Sequence, residues 1–111
     1  MNFENIYDLF VSSCMKNNVV FNSVDILNFM NCCNVKPDAS KLKTKIKNTN
    51  FQNYNHYKSF LNPSVFFPKN KKLNSINYNL SKIMLELKLE NQKISPNDKM
   101  DKILNYIKYI S

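Results

Sequence analysis

Glycine, tryptophan and arginine are absent from this 111-residue chain, and alanine (Ala39) and histidine (His56) each occur once. Each absence narrows the reading. Without glycine, the left-handed residue that closes a helix falls to asparagine, of which there are 20, because Asn tolerates that conformation best among the remaining types. Without arginine, two-pronged reading of guanine loses its usual agent, which leaves lysine, a point charge suited to phosphate. One histidine cannot by itself make a triad, and no catalytic or cofactor motif is present, so a non-enzymatic protein without a cofactor is expected. Cys14, Cys32 and Cys33 are odd in number and two are adjacent, which reads as free thiols buried as small apolar groups. A zinc site joining them to His56 lacks C-x-x-C or H-x-x-x-H spacing, so no metal is expected. No apolar run approaches the ~20 residues of a membrane span. Glu4 and Asp8 stand where a signal peptide carries lysines, so an intracellular site with no membrane partner is expected.

What is present is enough to fold. An apolar fraction of 43% with 13% aromatics is too high for a disordered chain. A chain of this length suits one domain, residues 1–111, burying roughly two-thirds of its unfolded surface. Lys, Asn, Ile, Tyr and Phe are favoured by AT-rich coding, so the net charge of +8 must be discounted. Its distribution survives the discount. Residues 34–72 hold nine lysines (Lys36, Lys41, Lys43, Lys45, Lys47, Lys58, Lys69, Lys71, Lys72) against Asp38 alone, a net of +8, while residues 1–33 sum to −2 and 73–111 to +2. A basic segment between nearly neutral flanks is an electrostatic footprint for a polyanion.

Helical spacing dominates the pattern. Phe3, Ile6, Tyr7, Phe10, Val11 and Cys14 share one face, with Glu4 and Asp8 in the first turns, and define a helix over 3–16. Asn22 or Ser23 can cap a second helix with inner residues Ile26, Leu27, Met30 and Cys33 and with Phe29 beside them; it should stop at Asn34, before Pro37. From Asp38 to Lys47 the pattern is double. Leu42, Thr44 and Ile46 alternate with lysines as in a half-exposed strand, whereas Ala39, Leu42 and Ile46 fit a helical stripe capped by Asp38. A helix is favoured, because a strand would have only the short run Val65–Phe67 as partner, in a two-stranded ribbon at most. Residues 48–72 are rich in Asn, Tyr, Phe and Lys, with Phe51, Tyr54 and Tyr57 spaced for at most a short helix, and 62–74, with Pro63 and Pro68, reads as a loop. Ile76, Leu80, Ile83, Met84 and Leu87 restore the helical period, and Leu85 and Leu89 widen that stripe to imply burial on more than one side. Ser95 as N-cap, Pro96 at N1 and Asp98 at N3 open a last helix with the face Met100, Ile103, Leu104, Ile107 and Ile110. The expected fold is all-α: one small domain of four to five helices with a basic central loop.

The second helix, the turn to Pro37 and the lysine-bearing segment have the order of a helix-turn-helix. Val24-Asp25-Ile26-Leu27-Asn28, a turn, then Lys41-Leu42 and Ile46 before aromatic positions make residues 23–57 resemble the amino-terminal DNA-binding modules of the BRO and KilA-N type. That resemblance implies DNA contact, although the module's glycine-bearing turns and tryptophan are missing here. The candidate contact residues are the nine lysines for phosphate, with Tyr54 and Tyr57 among aromatics placed to stack on unpaired bases or to fill the core. Such binding would be largely sequence-tolerant and steeply weakened by salt. The alternative is a protein–protein module of the viral-accessory or inhibitor kind, presenting an apolar groove or meeting an acidic partner protein through its lysines.

Overall fold

The computed structural model describes residues 2–49 and 79–110, and within them the chain is all-α. Five α-helices are formed among these residues: α1 (Phe3–Lys16), α2 (Ser23–Cys32), α3 (Ala39–Asn48), α4 (Leu80–Glu86) and α5 (Pro96–Ile110), with a 3-10 turn at Leu89–Asn91 between the last two. The segment that alternates at period two is therefore the helix α3, and the ribbon loses one of its two strands. Val65–Phe67, Ile76 and the aromatic segment at 51–57 lie outside the described residues.

Side-chain caps start each helix. Asn2 accepts from the Asn5 amide, Asp38 Oδ1 from Ser40 and Lys41 at 3.0 and 3.1 Å, Asn79 from Lys82, and Ser95 Oγ from Asp98. At α2 the box is reciprocal: Asn22 accepts from the Asp25 amide while Asp25 Oδ2 accepts from the Asn22 amide, both at 3.0 Å. The ends of α1 and α2 follow the asparagine logic. Asn18 (φ 57°) and Asn34 (φ 59°) are left-handed. The amides beyond them close the same pair of bonds, Val19 to Cys14 and Asn18 to Met15 after α1, Val35 to Met30 and Asn34 to Asn31 after α2. These are Schellman ends built without glycine.

Helices α1, α2, α4 and α5 enclose the core. Phe10 meets Phe21 edge-on at 5.9 Å and Phe29 at 5.0 Å, and Ile6, Ile26, Met30, Leu80, Leu89, Met100 and Ile103 surround them, all fully buried. One polar tie crosses it: Asp25 Oδ1 accepts from Ser81 Oγ at 2.8 Å, and Ser81 Oγ accepts from the Asn28 amide at 2.8 Å, which joins α2 to α4.

Four side chains depart from the sequence pattern. Cys32, rather than Cys33, is the buried cysteine at the end of α2. Leu85 is 76% exposed, so the α4 stripe is narrow. The reason is that α4 ends at Glu86 and Lys88 takes a left-handed conformation (φ 53°), which returns Leu89 to the core by a turn. Ile110 is exposed at the end of α5, whereas Lys99 is buried beside Met100. Helix α3 lies at the edge, held by buried Leu42 and half-buried Ile46.

Candidate nucleic-acid interface

Of the eleven candidate contact residues, Lys36, Lys41, Lys43, Lys45 and Lys47 are described; Lys58, Lys69, Lys71, Lys72, Tyr54 and Tyr57 lie outside the described residues. The five share one local construction. Lys36 is exposed in the turn that leaves α2, Pro37 follows it, and Asp38 starts α3. Residues two apart on a helix are turned by about 200°, so the four lysines of α3 do not form one row. They sort into two pairs.

Lys41 and Lys45 flank α1. The Lys41 Nζ stands 5.8 Å from the centre of the Phe3 ring and the Lys45 Nζ 5.1 Å from that of Tyr7. Lys45 also pairs with Asp8 at 3.6 Å. Their aliphatic stems cover the two rings while the charges stay near water. The Tyr7 hydroxyl meets Thr49 Oγ1 at 2.8 Å, and Thr49 Oγ1 donates to the Lys45 carbonyl at 2.6 Å, so the end of α3 is pinned to α1 through polar atoms. Burial pushes the Tyr7 phenol up, against the Thr49 bond, which lowers it.

Lys43 and Lys47 point away. With Ser40, Thr44 and Asn48 they occupy the i, i+3, i+4, i+7, i+8 positions of the face opposite Leu42 and Ile46, and all five are exposed. This face carries two cations, two hydroxyls and an amide, with no acid and no apolar side chain. Charge alone does not mark Ser40, Thr44 and Asn48; the helical period places them on the same face as Lys43 and Lys47. The rings next to the lysines, Phe3 and Tyr7, are core residues, so the described surface presents ammonium groups and short polar side chains, with no exposed ring beside them among the described residues.

Other chemistry is limited by burial. Cys14 and Cys32 are buried free thiols, and burial raises all three cysteine pKa values, that of Cys33 to about 11. A thiol so raised is a weak nucleophile at neutral pH. Among the described residues no group of three His, Cys, Asp or Glu side chains is placed to hold a metal ion, and no helix is long and apolar enough to cross a membrane. The exposed large apolar residues Val24, Leu85, Tyr109 and Ile110 stand on three different helices. A cleft of about 470 Å³ between α2 and α4 is lined by Asn28, Asn31, Asn79 and Ser81 together with Cys32, Met84 and Leu85, a mixed polar and apolar surface.

No protein family, curated protein or solved structure matches this chain. The likeness of residues 23–57 to the BRO and KilA-N modules thus has no family match behind it.

Proposed function

We propose that the protein binds nucleic acid without catalysing a reaction, through lysine–phosphate contacts made by α3 and the turn before it. The observation that carries the reading is the composition of the α3 surface: Lys36, Lys41, Lys43 and Lys47 are exposed, and among the described residues the one acid in an ion pair with an α3 lysine, Asp8, engages Lys45 from the α1 side. A helix is about 10–12 Å across with side chains and matches a major groove about 12 Å wide. Ser40, Thr44 and Asn48 sit between the cations, where short polar groups can reach phosphate or base edges. Contacts from lysine alone orient weakly, so affinity depends on charge far more than on sequence. An intracellular setting accords with three free thiols.

The test is fluorescence anisotropy of labelled duplex and single-stranded oligonucleotides of mixed sequence, titrated at two salt concentrations. Affinity is expected to fall steeply, by roughly 0.9 log units per log unit of salt for each duplex phosphate neutralised, and to change little with sequence. Absence of binding at low salt overturns the proposal.

A further inference from the structure

Lys99 is the one buried lysine among the described residues, 2% exposed. It reaches from α5 to the end of α2, where its Nζ donates to the backbone carbonyl of Cys32. A cation suits that position, because the carbonyl end of a helix is partially negative. Among the described residues the arrangement is nevertheless incomplete. An ammonium carries three N–H donors; the Cys32 carbonyl takes one, and neither ion pair of the described residues includes Lys99. Buried cations ordinarily have an anion or a full set of acceptors, since desolvation otherwise disfavours them.

Lys99 lines a cleft of about 480 Å³ bounded by the turn after α2, the 3-10 turn and the start of α5. Asn34, Glu90, Asn91, Lys93 and Ile94 line it as well. Two lysines against Glu90 leave this cleft a net charge of +1, the amides of Asn34 and Asn91 offer further N–H donors, and Ile94 gives one apolar wall. We infer that the cleft binds a small monocarboxylate, its carboxylate held by Lys99 and the asparagine amides and its apolar body against Ile94. A phosphate dianion fits less well: the cleft supplies one net positive charge, and Glu90 repels the second negative charge. The site is separate from the α3 lysines and does not depend on their function.

The experiment is a two-dimensional ¹H–¹⁵N NMR titration of the full chain with sodium isobutyrate, and separately with inorganic phosphate, at constant ionic strength. Isobutyrate is expected to shift the amides of Asn34, Asn91 and Lys93 saturably, with phosphate at least severalfold weaker. Lys99→Met should abolish the saturable shift. Because that change could also disturb the fold, Glu90→Gln, at an exposed position, provides the second arm: removing its charge should tighten isobutyrate binding severalfold. No saturable shift, saturation unchanged in a folded Lys99→Met, phosphate binding as tight as isobutyrate, or weaker isobutyrate binding in Glu90→Gln would each overturn the inference.

Discussion

Helices α2 and α3 have the same length, ten residues, and each begins at a side-chain cap, yet one is core and the other edge. Helix α2 buries Ile26, Phe29, Met30 and Cys32 along with Asp25, and carries no lysine. Helix α3 buries Leu42 alone and carries four lysines and no acid. Local signals are thus sufficient to start both helices, and what the remaining positions carry decides their fates: apolar side chains draw α2 between its neighbours, while lysines hold α3 at the water boundary. The contrast is also the functional argument. A helix that contributes little to the core is available for a partner, and this one carries lysines on both flanks of its Leu42–Ile46 stripe.

The largest expected effect lies in α2. Phe29→Ala removes a fully buried ring packed against Phe10 and should cost about 3–5 kcal/mol, read by chemical denaturation. In α3 the corresponding change is Leu42→Ala, expected at about 2–3 kcal/mol, near the low end for a buried leucine because the edge can relax. Hydrogen exchange sharpens the distinction: Leu42→Ala should expose α3 amides selectively while α2 keeps its protection. Uniform loss of protection would show that α3 is as integral as α2.

A smaller effect separates the polar ties of the two helices. Burial raises the Asp25 carboxyl above its ordinary 3.8, against lowering bonds from Ser81 and Asn22. The folded state therefore holds this proton more tightly than the unfolded chain does. The contribution to stability is full below the ordinary value and is lost as pH rises through the folded one. Asp25→Asn, which cannot ionise, should flatten the stability profile measured by denaturation across that acidic window. A slope identical to the parent's would locate the titration elsewhere. The smallest effect is expected from Lys43→Ala or Lys47→Ala, each within about 0.5 kcal/mol of the parent, since neither side chain has an ion-pair partner among the described residues.

Much of the α2–α3 contrast was legible from residue order. Asn22 or Ser23 before α2, Asp38 before the lysines, Asn34 before Pro37 and the Ser95-Pro96 opening of α5 each name a cap or an end, and each governs only neighbouring backbone groups; the structure selects Asn22 and adds its reciprocal partner Asp25. Face assignment was less legible, because it depends on where a helix stops. By spacing Leu85 extends a buried stripe, but α4 ends before the left-handed Lys88, which sends Leu89 inward by another route. The burial of Lys99 was unreadable for a different reason: its acceptor, the Cys32 carbonyl, is 67 residues away and belongs to the backbone, which sequence pattern does not mark. On α3 the lysines were found as charges, but their division into an α1-facing pair and an outward pair required the helical period and the position of Asp8.

The central claim is that position, more than total charge, makes α3 the binding surface. It is tested most directly by comparing duplex DNA affinity, at low salt, of Lys43→Glu/Lys47→Glu with that of Lys102→Glu/Lys108→Glu, which makes the same charge change at exposed positions of α5. The account predicts at least a tenfold larger loss for the α3 pair, about 1.4 kcal/mol or more in binding free energy, with both variants as stable as the parent. Equal losses would show that affinity follows net charge alone, and unchanged affinity in the α3 pair would contradict the claim outright.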